Sequence, residues 1–88
     1  MIIDRQAVRT DFGQAIRELR ESRGLTLDAL AAKASMHTTY LSRIERAHSS
    51  PTGEKVTALA AALDLPVSAI ATAFEAQTDK RGSARRGK

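Results

Sequence analysis

One stretch of the chain places hydrogen-bond donors along one side of a predicted helix at residues 37–46. The apolar side of this helix consists of Met36, Leu41 and Ile44, with Tyr40 at its border. The opposite side carries short hydroxyls and two guanidinium groups, namely Thr38, Thr39, Ser42, Arg43 and Arg46. Hydroxyls and guanidinium groups donate to base edges and to phosphate oxygens, and an α-helix fits the major groove of DNA. The pattern therefore predicts a helix that reads double-stranded DNA.

A shorter helix is predicted just before it, over residues 27–33. Its apolar residues recur at i, i+3, i+4 and i+7 and form one stripe: Leu27, Leu30, Ala31 and Ala34. Thr26 stands immediately before this stripe, where its hydroxyl can accept a backbone N–H and cap the helix. Only a short turn separates the two helices, so the first is placed to hold the second.

These two helices and their flanks resemble the helix-turn-helix of the phage-repressor group, the Cro/cI-like (XRE) family. The residues that carry the resemblance are Arg-Gly-Leu-Thr at 23–26, Leu-Ala at 30–31, Tyr-Leu-Ser-Arg-Ile-Glu-Arg at 40–46, Pro51, and the flanking segments 12–20 and 62–66. The resemblance implies an all-α, compact five-helix DNA-binding domain with 37–46 as its recognition helix. It also implies a homodimer that binds a palindromic operator.

The resemblance further implies a structural ion pair between Arg20 and Glu45, although each could also be separately solvated. Three positions depart from the family pattern. Leu27 stands where a phosphate-binding Gln is usual, Ser35 where the turn usually has Gly, and His37 where a Ser or Thr usually caps the recognition helix. Ser35 is therefore expected in a left-handed conformation at some energetic cost, unless the turn differs.

We expect base readout from the exposed face of the recognition helix, by Thr38, Thr39, Ser42 and Arg43. We expect phosphate contacts from His37, Tyr40, Arg46, Ser49, Ser50, Thr52 and Lys55. Arg43 is the strongest candidate, because its fork can donate two hydrogen bonds to guanine. The alternatives remain open: Arg43 could be a solvated arginine, the two threonines could contact phosphate alone, and His37 could be an ordinary turn histidine.

The remaining segments divide the chain into an N-terminal arm or helix extension at 1–9, the DNA-binding domain at 10–77, and a basic disordered tail at 78–88. Helix 1 is predicted over 11–23, with Gly13 in its first turn and Gly24 as its left-handed end. Its inward stripe is Phe12, Ala15, Ile16 and Leu19. If residues 1–9 are helical instead of an arm, Asp4 is the expected cap. Helix 4 is predicted to begin at Pro51 or Thr52, with Val56, Leu59, Ala60 and Leu63 as its buried stripe.

Helix 5 is predicted over about residues 67–76, with Ile70, Ala73 and Phe74 as its apolar face. Four preceding helices can fill a small core, so this face is assigned to a twofold dimer interface. The alternative is that these residues belong to the core.

Composition limits the remaining possibilities. The 88 residues are enough for one small domain, and there is no cysteine for a disulfide or a zinc cluster. The formal charge of +4 lies entirely in residues 79–88, which hold five basic groups and one acid, whereas residues 1–78 hold nine of each. We expect no cofactor, no metal ion, no small-molecule ligand and no membrane segment, and a cytoplasmic location.

The sequence thus predicts a small dimeric transcriptional regulator and not an enzyme. An antitoxin-type autoregulator is a close alternative. A protein-interaction adaptor that kept the fold without reading DNA is another, because residues 1–78 carry no net charge.

Overall fold

Five α-helices follow one another in the computed structural model, which describes residues 4–86, with side chains described for residues 4–82. They are α1 Arg5–Ser22, α2 Leu27–Lys33, α3 Thr38–Glu45, α4 Gly53–Ala62 and α5 Val67–Arg86. Among the described residues there is no strand. The all-α, five-helix prediction is confirmed.

Side-chain caps begin three of these helices. Asp4, Thr26 and Thr52 accept hydrogen bonds from the backbone N–H groups three residues later, at 3.1, 3.0 and 3.3 Å. The cap at Asp4 shows that residues 5–9 continue α1, so of the two alternatives for 1–9 the arm is wrong over that range. Residues 1–3 lie outside the described part.

The first four helices all end in the same way, with a left-handed residue just after the last turn. These residues are Gly24, Ser35, Ala47 and Asp64, with φ between 55° and 67°. In each case the next N–H bonds back to a carbonyl five residues earlier, as Met36 does to Ala31 at 3.0 Å. The left-handed conformation expected at Ser35 is confirmed. Ser35, Ala47 and Asp64 each carry a Cβ atom, which disfavours this conformation.

The core lies where α1, α2, α3, α4 and α5 meet. Its largest fully buried side chains are Ile16, Leu30, Leu41, Ile44, Leu59, Leu63 and Ile70. Ile70 is only 2% exposed, so its assignment to a dimer interface is wrong. The four preceding helices leave space that Ile70 fills within its own chain.

Helix α5 is twice as long as predicted. It continues past residue 76 to Arg86, so the expectation of a disordered tail over 78–88 is wrong for residues 78–86. Residues 87 and 88 lie outside the described part. The extension packs along α1 through polar contacts from Gln77, Thr78 and Arg81. Because hydrophobic periodicity does not record such contacts, the sequence pattern stopped at the last apolar residues.

Gly13 lies in the middle of α1 and not in its first turn, which corrects the predicted start of this helix. A Cβ at this position would collide with the carbonyl oxygen of Ile44 and lie 2.8 Å from that of Glu45. The small residue therefore admits the end of α3, not a phosphate.

No single helix of the described residues is long and apolar enough to cross a membrane. The helices α4 and α5 reach the necessary length and hydropathy only when taken together, and a bend of 103° separates them. Within the same residues, no three His, Cys, Asp or Glu side chains group as metal ligands would.

Candidate nucleic-acid interface

Helix α3 is held against the core by its apolar side. Leu41 and Ile44 are fully buried, while Tyr40 and Met36 are half-buried. The helix begins at Thr38, one residue later than predicted, with His37 in the cap position. His37 is exposed and makes no side-chain cap hydrogen bond. Its ring is therefore not used to begin α3.

The opposite side of α3 presents a row of donors. Thr39, Arg43 and Arg46 are exposed, and Ser42 is half-buried between them. In the part of the chain described, neither arginine forms an ion pair with an acid of the same protein. Two guanidinium groups are therefore available to an external anion or base edge.

Thr38 behaves differently from the other hydroxyls on this face. It is half-buried, and its Oγ1 donates to Oδ1 of Asp28 on α2 at 2.7 Å. Asp28 thus places a carboxylate beside the first turn of α3. Asp28 could not be recognised as a site residue from its position in the sequence, because an acid in the first turn of a helix is ordinarily explained by the helix dipole.

The one acid within α3 is turned away from the exposed face. Nε and Nη2 of Arg20 donate to the two carboxylate oxygens of Glu45 at 2.7 and 3.0 Å, and Nη1 donates to the Leu25 carbonyl at 2.8 Å. The side chains are only 11% and 6% exposed. Glu45 raises the pKa of Arg20, chiefly by accepting these hydrogen bonds. The pair implied by the resemblance is present, and it fixes α3 on α1.

The loop after α3 and the start of α4 bring the other predicted phosphate contacts together. Ser49 is half-buried, and Ser50 and Thr52 are exposed. Thr52 accepts from the backbone N–H of Lys55, so its hydroxyl oxygen already serves as a cap. Lys55 follows in the first turn of α4, half-buried.

Two residues of the α1 extension also contact this loop. Nε2 of Gln6 donates to the Ala47 carbonyl at 3.2 Å, and Nε of Arg9 donates to Oγ of Ser50 at 3.0 Å. Neither Gln6 nor Arg9 was predicted from the sequence to contact this loop. Helical spacing could have identified them, because Gln6 and Arg9 lie on the same face of α1 as Gly13 and Arg20.

An apolar depression of about 190 Å³ lies next to the same loop. It is lined by Val8, Phe12, Ser50, Pro51, Val56 and Phe74. Phe74 and Ala73 are half-buried, and Val8 is 39% exposed. Two of the three residues assigned to the dimer interface thus remain partly accessible.

Comparison with known proteins matches residues 16–70 to the family model described as helix-turn-helix. The chain is 38% identical over 63 residues to the transcriptional regulator ClgR of Mycobacterium tuberculosis, covering 72% of this chain and 56% of that protein. It is 43% identical over 58 residues to the immunity repressor protein of Bacillus phage phi105, covering 66% of this chain and 40% of the repressor. The chain therefore spans about half the length of these curated relatives.

Among solved structures, the restriction-modification controller protein C.AhdI from Aeromonas hydrophila superposes with a TM-score of 0.69 at 31% identity. The superposition covers 70% of this chain and 94% of the controller protein. The matched family segment contains α2, the turn and α3 in full.

Proposed function

Because this chain belongs to the helix-turn-helix (XRE) family of DNA-binding transcriptional regulators, we propose that it acts as a small dimeric regulator whose helix α3 reads a palindromic operator. The observation that carries the proposal is the exposed face of α3. Arg43 and Arg46 are accessible there without an internal counter-ion among the described residues, while Glu45 is buried against Arg20.

Base readout is assigned to the middle of this face. Arg43 is exposed and can donate two hydrogen bonds to O6 and N7 of guanine. Thr39 and Ser42 lie close to it on the same side of the helix and offer one hydroxyl donor each. Arg46, one turn further on, is assigned to phosphate.

Contacts to the DNA backbone are assigned to the residues around α3: His37, Tyr40, Ser49, Ser50, Thr52 and Lys55. Such contacts fix the register of the protein on the duplex without reading sequence. The hydrogen bonds from Gln6 and Arg9 support this assignment, because they brace the loop that would lie along the phosphates.

Dimerisation is assigned to the surface around Phe74 and Ala73, together with the apolar depression beside them. A single recognition helix contacts only a few base pairs, which discriminates poorly against a genome of competing sites. Two copies related by a twofold axis would read half-sites about 34 Å apart. Because the regulator is proposed to bind double-stranded DNA, its proposed location is the cytoplasm.

Selection of bound duplexes from a random pool tests this proposal. The expected result is a palindrome with half-site centres about one helical turn apart. A folded protein that enriches no sequence would refute DNA readout and favour the adaptor alternative. Enrichment of a single half-site would keep the readout and remove the dimer.

A further inference from the structure

The hydrogen bond between Thr38 and Asp28 determines what the first turn of α3 can recognise. Thr38 has one hydroxyl proton, and that proton is directed to Oδ1 of Asp28 at 2.7 Å. The hydroxyl oxygen keeps a lone pair but has no proton left for a base or a phosphate. An ionised carboxylate is likewise an acceptor only.

The two side chains together therefore present acceptors and no donors. Among the residues described, Asp28 forms no ion pair with a cation of the same chain, so its charge is not neutralised internally. Asp28 is exposed and Thr38 half-buried, so the pair is accessible at the end of α3 that enters the groove first.

Acceptors in the major groove select amino groups. Guanine offers only the acceptors O6 and N7 there, and thymine offers the acceptor O4 with a methyl group. Adenine has an amino group, but its N7 acceptor lies beside it and would repel a carboxylate. Cytosine offers its N4 amino group beside its own C5–H, and the one neighbouring acceptor is O6 of the paired guanine, whereas the adenine amino group lies between two acceptors, its own N7 and O4 of thymine. The acceptor pair is therefore complementary to cytosine.

We infer that Asp28 and Thr38 form a specificity-determining pair that selects the amino group of cytosine at the base pair met by the first turn of α3. This inference rests on the proposed function and adds a residue from α2 to the readout. Arg43 would read guanine further along the same helix, so the two ends of the face differ in hydrogen-bonding character.

The Asp28 carboxylate also lowers the affinity for DNA that lacks the preferred sequence. An uncompensated negative charge near the phosphates lowers affinity for every sequence, and the contact with cytosine restores it only at the correct site. Asp28 thus raises discrimination partly by weakening binding elsewhere. A residue that merely braced α3 would have no such double effect.

Substituting Asp28→Asn separates these roles. The amide oxygen can still accept from Thr38 and hold the helix, but the negative charge is removed and an N–H₂ donor is added. We expect a roughly tenfold loss of preference for cytosine at one position of each half-site, with the other positions unchanged. Affinity for random DNA should rise at the same time. Both are measured by selection from a random pool and by titration of a non-cognate duplex.

Two further variants complete the experiment. Thr38→Val keeps the shape but removes the hydroxyl, and should weaken the cytosine preference without raising non-cognate affinity. Glu54→Gln is the charge-matched control, because Glu54 is an exposed acid in the first turn of α4. It should change non-cognate affinity at most, and leave every base preference as in the original chain.

The outcomes are distinguishable. If Asp28→Asn binds DNA with unchanged preferences, or alters a position where the original chain does not select cytosine, the inference is overturned while the proposed function stands. If the original chain enriches no sequence, the proposed function fails and the inference fails with it.

Discussion

The carboxylate of Asp11 on α1 is buried under the last helix, where Thr78 and Arg81 donate hydrogen bonds to it. Thr78 Oγ1 lies 3.0 Å and Arg81 Nε 3.3 Å from the carboxylate oxygens, and Nη2 of Arg81 makes a further contact. Asp11 is only 4% exposed. Both donors come from the segment that sequence patterning treated as a tail, so this segment stabilises the fold.

Truncation after Gln77 should therefore destabilise the domain. It removes both hydrogen-bond donors of Asp11 and exposes this carboxylate to water, so the domain loses these hydrogen bonds and the packing of the segment against α1. Arg81→Ala should also destabilise the domain. The control Lys80→Ala should have almost no effect, because the Lys80 side chain is 68% exposed and its ion pair with Glu18 is long at 3.9 Å. Thermal unfolding followed by circular dichroism compares the variants. Equal midpoints for Arg81→Ala and Lys80→Ala would show that the contact is not stabilising.

The same contact makes stability depend on pH. The hydrogen bond from Arg81 lowers the pKa of Asp11 below its ordinary value of 3.8, and Thr78 contributes, although burial opposes them. Because the folded-state pKa is depressed, the stabilisation is complete above the unfolded value and is lost as the pH falls through the folded one. The free energy of unfolding, measured by urea titration, should thus fall below about pH 5 more steeply for the original chain than for Asp11→Asn. Parallel curves would contradict this.

The part of the fold that sequence could predict is the part encoded by apolar spacing and caps. The ends of α2 were predicted from its apolar stripe and the cap at Thr26, and those of α3 from its apolar side. Both predictions agree with the structure to within one residue. The length of α5 could not be found in this way, since residues 77–82 are held by polar contacts to α1. Asp28 illustrates the same limit at the site, because its role depends on a partner ten residues away on another helix.

The turn between α2 and α3 carries strain that a single substitution should relieve. Ser35 has φ of 55°, and a left-handed conformation costs a residue with a Cβ about 1–2 kcal/mol. Ser35→Gly should stabilise the domain by roughly 0.5–1 kcal/mol after the larger unfolded-state entropy of glycine is included. Gly24→Ala is the opposite control, because its φ is 67° and no atom lies near the added Cβ. Chemical denaturation should show opposite shifts, and shifts of the same sign would contradict the argument.

Arg43 and Arg46 should differ in what they contribute to binding. Arg43→Ala should cost about 1–3 kcal/mol on the preferred site and little on random DNA, because a fork aimed at guanine acts only where guanine is present. Arg46→Ala should weaken both kinds of site alike and reduce the salt dependence by roughly one phosphate contact. Titrations of cognate and random duplexes at several salt concentrations give both quantities. Equal losses on both duplexes for Arg43→Ala would place Arg43 among the phosphate contacts.

The proposed dimer makes a prediction about the depression beside Phe74. Phe74→Asp should give monomers, but Phe74 is half-buried in its own chain, so Val8→Glu is the safer probe because Val8 is already 39% exposed. In a twofold dimer each substitution occurs once in each subunit. A loss of about 1.4 kcal/mol of association free energy per subunit is tenfold in Kd for each, so it would weaken association on the order of 100-fold. Sedimentation equilibrium measures this, with circular dichroism to confirm folding and a duplex titration to show weaker operator binding. Val67→Glu, at the first residue of α5 and 46% exposed, is the matched control. If it dissociates the dimer and Val8→Glu does not, the interface lies at the start of α5 and the assignment to Phe74 is wrong.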